Sequence, residues 1–145
     1  MAVVDASVAL KWQFEDEEAT EQALALLTDY VAGRIHLIAP SLFPYEVLSG
    51  IGIAIRRRRL DEGKGQRALK NILSFEVVLK DSDDVFEEAL RLAERHNLST
   101  YDCSYIALAD QEDIPFFTGD RKLYNSVRQR LPRVKWIGDY QSPER

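Results

Sequence analysis

Cysteine is almost absent: Cys103 is the single one in 145 residues. No intramolecular disulfide is possible and no cysteine-built zinc site can form. A lone thiol suits a reducing, cytoplasmic setting. Histidine is equally scarce, with only His36 and His96, so histidine-centred catalysis has few candidates. Glycine and proline number 7 and 5, too few for a collagen-like or low-complexity chain. Long apolar runs are missing as well. The most apolar stretch, residues 35–55, is interrupted by His36, Pro40, Pro44 and Glu46, which argues against a membrane span. The opening residues, Met1-Ala2-Val3-Val4-Asp5, lack the basic head and apolar run of a secretory signal. Nor is there a positive excess. Lys and Arg total 19 against 24 Asp and Glu, a net charge of −5, so the bulk basicity that announces nucleic-acid binding is absent.

What is present is an ordinary globular composition, 46% apolar and 30% charged. The length fits one domain, 1–145, with a real core. Short apolar runs alternate with helical periodicity. Strands are expected at residues 2–5, 36–39, 75–79, 115–118 and 134–137. Helices are expected at 17–31, 41–59, 61–73, 82–96, 100–111 and 121–131, with Ser41 as an N-cap and Pro44 in the first turn of the second. The strands are continuously apolar, as parallel strands covered on both faces are. The fold class is therefore α/β, a three-layer α/β/α sandwich with a mostly parallel central sheet. Gly50 and Gly52 fall inside a helix, where they cost stability, which points to close approach by another helix within the fold or across a dimer.

In such sheets ligand sites lie beyond the carboxyl ends of the strands, and four acids stand out there. Most acidic residues sit in charge clusters that read as solvated helix faces. Asp5 is the only charge in residues 1–10, and Glu46 the only full charge between Ile35 and Ile55. Asp102 is the only charge from Leu98 to Ala109, and Asp120 follows the run Ile114-Pro115-Phe116-Phe117-Thr118-Gly119. A buried carboxylate needs a cation, hydrogen bonds or a proton. The expected elements bring all four to one end of the sheet, where a divalent cation would relieve their repulsion. An oxygen-only set of this kind suits Mg²⁺ or Mn²⁺. Each acid also has a plainer explanation. Asp5-Ala6-Ser7 reads as a polar strand exit, Ser99-Thr100-Tyr101-Asp102 as a variant capping box, and Asp120 as the N-cap of the next helix. Glu46, between Tyr45 and Val47, is the hardest to explain as surface. Ser7, Thr118, Ser104 and Asn125 are polar neighbours able to hydrogen-bond a carboxylate, a water or a phosphate.

These pieces together resemble a PIN-domain protein, of the kind that serves as the ribonuclease toxin of VapBC-type toxin–antitoxin pairs. The matching segments are Val3-Val4-Asp5-Ala6-Ser7, Pro44-Tyr45-Glu46-Val47, the run from Leu98 to Ala109 around Asp102, and Phe117-Thr118-Gly119-Asp120-Arg121-Lys122-Leu123. Their order and spacing span essentially the whole chain. The resemblance implies that Asp5, Glu46, Asp102 and Asp120 form a catalytic, metal-binding quartet. It implies that Ser7 and Thr118 support that quartet, and that Asn125 is a counterpart of a further polar position. It also implies endoribonuclease activity, a homodimer and inhibition by a cognate antitoxin.

With no histidine near these motifs, a metal-activated water is the natural nucleophile for phosphodiester hydrolysis. Glu46 fits either as a ligand or as the group that orients that water. An acidic protein that holds RNA needs local positive charge. Arg56, Arg57, Arg58 and Arg59 form one tract, continued by Lys64, Arg67 and Lys70. Arg121 and Lys122 open a second, continued by Arg128, Arg130, Arg133 and Lys135. Both suit phosphates, although a basic helix C-terminus explains the first equally well. Trp12, Tyr45, Tyr101 and Tyr105 read first as core aromatics and second as base-stacking or partner-contacting groups. Two other α/β readings fail on composition. A phosphoacceptor receiver needs an acidic pair where Asp5 stands alone, and an aspartate-nucleophile phosphatase needs a second acid where Ser7 stands. The remaining alternative is a catalytically silent PIN-like module that binds protein or RNA.

Overall fold

The computed structural model describes residues 1–143; residues 144 and 145 of the expected 1–145 domain lie outside them. The strands are β1 (Ala2–Val4), β2 (Leu37–Ala39), β3 (Val78–Leu79), β4 (Phe116–Thr118) and β5 (Val134–Trp136). They form one sheet in the order β3-β2-β1-β4-β5, with every pairing parallel. Val3 sits opposite both Ile38 and Phe116, so β1 is the central strand, and its three residues are fully buried. The helices are α1 (Ala6–Lys11), α2 (Thr20–Val31), α3 (Leu42–Arg56), α4 (Glu62–Ser74), α5 (Asp83–His96), α6 (Thr100–Glu112) and α7 (Arg121–Val127). They flank the sheet in the expected α/β/α arrangement. Among the described residues no helix is long and apolar enough to cross a membrane.

The helix boundaries follow local chemistry. Ser82 caps α5 by accepting from the Val85 N–H, Asp83 and Asp84 occupy its first turn, and Arg95 and His96 its last. That is the charge order the helix dipole favours, and Asn97 closes the helix in the left-handed region, at φ 54°. Gly50 permits the close approach expected of it. A Cβ there would stand 2.6 Å from Leu10 Cδ1, where α1 crosses α3.

Several expectations need correction. Residues 6–11 form a helix where a strand exit was expected, because Asp5 caps it. The helix expected from residue 17 begins at Thr20. The strand expected over 75–79 shrinks to two residues, since Phe75 caps α4 and Glu76 turns left-handed at φ 54°. The last long helix stops at Val127 rather than near residue 131. Ser41 takes the N-cap position of α3 without a side-chain bond; its backbone N–H donates to Asp81 instead. Gly52 faces open space, with nothing within 4 Å of a Cβ, so no close approach within the fold explains it.

Candidate active site

Two parallel neighbours, β1 and β4, run out of the sheet at the same end. The chain leaving β1 passes through Asp5 into α1, and the chain leaving β4 passes through Gly119 and Asp120 into α7. Asp5 and Asp120 each cap the helix they open, accepting from the Val8 N–H at 3.3 Å and the Leu123 N–H at 3.1 Å.

Hydroxyls weld the two exits together. The Ser7 hydroxyl donates to Asp5 Oδ1 at 2.5 Å and the Thr118 hydroxyl to Asp5 Oδ2 at 2.6 Å. Ser7 Oγ in turn accepts from the Gly119 N–H at 2.7 Å, and Thr118 Oγ1 from the Asp120 N–H at 3.1 Å. Ser7 and Thr118 thus both bond to Asp5 and to the backbone that leads to Asp120. Gly119 has a steric reason to be glycine, because a Cβ there would lie 2.4 Å from Lys11 Cε and 3.0 Å from the Ser7 carbonyl oxygen.

The other two acids come from helices. Glu46 lies one turn into α3. Asp102 lies in the first turn of α6, its N–H donating to the capping hydroxyl of Ser99 at 3.0 Å. Asp5, Glu46, Asp102 and Asp120 all line one cleft of about 280 Å³, together with Ser7 and an apolar side that includes Leu10, Gly50 and Ile53. The four were expected to be buried alike, and they are not. Asp5 is buried, Glu46 and Asp102 are half-buried, and Asp120 is exposed at the rim, because its capping position lies beyond the end of β4.

Electrostatics set this cluster apart from the acidic surface. Burial pushes the Asp5 carboxyl up to about 6, against the hydrogen bonds from Ser7, Thr118 and Val8, and the charge of Glu46 pushes the same way as burial. Glu46 is raised by burial and by the charge of Asp102. Asp102 is raised by burial and by the charge of Asp120. Among the described residues none of the four has an ion-pair partner, and no group of three or more acids, histidines or cysteines stands close enough together to hold a metal ion as the side chains are placed. A row of mutually repelling, oxygen-only donors along one open cleft fits a hard divalent cation with remaining positions for water. It does not fit a soft metal.

Other expected residues lie elsewhere. Asn125 is exposed on α7 and takes no part in lining the cleft. Arg59 is held by Asp16 at 3.1 Å and Glu17 at 3.4 Å. Arg121 is held by Glu18 at 2.9 Å and lies over the Trp136 ring. Arg56, Arg57, Arg58 and Lys122 are exposed. Trp12 is a core residue whose indole N–H donates to the Ala23 carbonyl. Tyr45 and Tyr101 are exposed. Sequence reasoning read Tyr105 first as core and second as a base-stacking or partner-contacting group, and not as a partner of Glu46. Its ring is buried, yet its hydroxyl donates to Glu46 Oε1 at 2.6 Å. The available signal was its place one helical turn after Asp102.

Residues 2–128 match the family model of the PIN domain. The chain is 34% identical over 132 residues to the VapC ribonuclease Mb0985 of Mycobacterium bovis, covering 91% of this chain and 95% of that protein. Its fold is similar to the crystal structure of PAE2754 from Pyrobaculum aerophilum, with TM-score 0.69 and 28% identity, covering 94% of this chain and 90% of that one. It also superposes on a chain of a toxin–antitoxin complex from Klebsiella pneumoniae, with TM-score 0.62 and 19% identity, covering 98% of this chain and 100% of that one. This chain belongs to the PIN-domain family.

Proposed function

We propose that this protein is a metal-dependent endoribonuclease that hydrolyses RNA phosphodiester bonds, working as one domain in the cytoplasm as the toxin of a type II toxin–antitoxin pair. The observation that carries the reading is the set of four carboxylates along one cleft with no ion-pair partner among the described residues. Such an arrangement costs folding energy unless a ligand uses it. Likeness to a VapC ribonuclease over most of both chains supports the choice of RNA.

Asp5, Glu46, Asp102 and Asp120 would hold the ion, Mg²⁺ or Mn²⁺. When bound, a divalent cation lowers the pKa of a coordinated water and offsets charge on the phosphoryl oxygens. The protein's own part is placement. Ser7 and Thr118 fix both oxygens of Asp5, and the α7 cap fixes Asp120. Glu46 carries a raised carboxyl at the cleft, which suits it to orient the attacking water and accept its proton. Arg56, Arg57, Arg58 and Lys122 supply exposed positive charge for RNA phosphates; Arg59 and Arg121 join them only by giving up Asp16, Glu17 and Glu18.

Two partners complete the proposal. Phe86, Leu90 and Tyr101 are large and exposed, and with Leu42 they line one apolar depression, a surface suited to a homodimer. A cognate antitoxin is the expected inhibitor, supported by the fold shared with the Klebsiella complex.

The test is cleavage of a mixed structured-RNA pool in Mn²⁺, Mg²⁺ and EDTA, with Asp102→Asn purified in parallel. Wild-type cleavage should require metal, and the variant should lose about a hundredfold or more. Equal cleavage by both proteins would refute the site. Absence of cleavage by either would favour the silent binding module.

A further inference from the structure

We propose that Tyr105 is a positioning residue for Glu46, its buried phenol holding one carboxylate oxygen so that the rest of the group serves the cleft. The inference deepens the nuclease reading and rests on it.

Three features of the geometry carry it. The Tyr105 side chain is one of the largest fully buried groups in the protein, and its ring stacks on Phe116 of β4 at 5.5 Å with 13° between the planes. A phenol in such a place needs a partner for its O–H. It finds one across the fold, on another helix: the hydroxyl donates to Glu46 Oε1 at 2.6 Å, a link of 59 residues between α6 and α3. Finally, among the described residues this is the hydrogen bond that Glu46 has, and Oε2 is left to the cleft that Glu46 lines.

The chemistry explains why a tyrosine is useful here. Lysine or arginine at the same place would neutralise Glu46 and compete with a cation. A phenol donates a hydrogen bond and carries no charge. The Tyr105 hydroxyl is the donor in this bond, and the stack on Phe116 holds it there. Asp102 and Tyr105 lie three residues apart on α6, on one face. The same turn of helix thus delivers one acid to the cleft and steadies another.

The experiment compares wild type, Tyr105→Phe, Glu46→Gln and the double variant. Phenylalanine keeps the ring and the stack on Phe116, so the fold is retained, as circular dichroism and melting in EDTA will verify. Cleavage in Mn²⁺ gives kcat and KM for RNA, and calorimetry with Mn²⁺ alone gives metal affinity without turnover. Tyr105→Phe should lower kcat by roughly tenfold with KM nearly unchanged, and weaken Mn²⁺ binding by several-fold, as loss of one hydrogen bond to a charged group predicts. In the Glu46→Gln background the same change should add little, since the phenol acts through Glu46. Wild-type kcat and Mn²⁺ affinity in Tyr105→Phe would overturn the proposal alone. So would a full additional loss in the Glu46→Gln background. A wild-type protein that neither cleaves RNA nor binds Mn²⁺ would overturn the nuclease reading and this proposal with it.

Discussion

Asp5 makes the metal-free protein less stable at neutral pH than it would be without that charge, and replacing it by asparagine should reveal this. The carboxyl moves from an ordinary value of 3.8 to about 6 in the folded chain, with burial as the main cause. Between those two values the folded state holds a proton that the unfolded state has released. Stability therefore falls as pH rises through the window, and the full loss is present above pH 6. A displacement of roughly two pH units corresponds to about 3 kcal/mol. Asp5→Asn has no such loss. The amide does disturb the bonds from Ser7 and Thr118, at about 1 kcal/mol each, but that term does not vary with pH.

The informative quantity is therefore the difference in unfolding free energy between variant and wild type, measured in EDTA from pH 3.5 to pH 8. It should rise in favour of Asp5→Asn by about 3 kcal/mol, most of it between pH 4 and pH 6. Near the top of the range this is roughly 6 to 12 °C in Tm for a chain of this size. Saturating Mn²⁺ should then close the gap. A ligand at a hundred times its Kd stabilises the folded state by about 2.7 kcal/mol, and wild type gains this while the variant does not. A difference that stays flat within about 1 kcal/mol from pH 4 to pH 7 would refute the account of Asp5 as a buried, uncompensated carboxylate.

Two further predictions concern the scaffold. Gly52→Ala should stabilise by about 1 kcal/mol through helix propensity, because a Cβ there meets nothing within 4 Å. Gly65→Ala should destabilise by about 1–3 kcal/mol, because its Cβ would stand 2.6 Å from Ile55 Cδ1 and 3.2 Å from Ile51; urea denaturation of the pair checks the contrast, and equal signs would contradict it. Asp29 is buried and takes hydrogen bonds from Tyr140 at 2.5 Å, Arg34 at 2.8 Å and Ser142 at 2.9 Å, which tie the C-terminal segment to α2. Asp29→Ala should cost about 3 kcal/mol and open the segment after Tyr140 to proteolysis. The Tyr140 bond, with help from Arg34 and Ser142, holds the Asp29 carboxyl below its ordinary value of 3.8. Its stabilisation is thus complete above that value and is lost as pH falls below it, opposite in sign to Asp5.

Much of this fold was legible because parallel strands covered on both faces leave continuous apolar runs, and β1, β2 and β4 did so, while the edge strand β5 carries an exposed Lys135 at its centre. The failures share a cause. α1 is six residues long and too short to show a period; it exists because Asp5 caps it, a fact of local geometry. β3 sits at the sheet edge with both residues exposed, so burial does not mark its limits, and the left-handed Glu76 cuts it short. The four acids were legible for the converse reason. A charge inside an apolar run is costly, so each stood out against its neighbours. What pattern could not supply was pairing across the fold. Arg59 and Arg121 looked free to hold phosphates, yet residues 16–18 come back to meet them. Tyr105 looked like core because its ring is core, and only the tip of the side chain belongs to the site.

The plain explanations for the acids turn out to describe the same bonds as the functional one. Asp5 and Asp120 are N-caps, and Asp102 donates its N–H into the cap of its own helix. A cap fixes the side-chain rotamer of the residue that supplies it, and here it fixes a carboxylate at the mouth of a cleft. Two helix starts thereby hold two of the four charges, Asp5 and Asp120, in place with bonds the fold needs in any case. Glu46 lies within a helix, where no cap can hold it, and its carboxylate takes its hydrogen bond from Tyr105 in the core. The difference follows from where each residue sits in its helix, and it is the reason the same site needs two kinds of support.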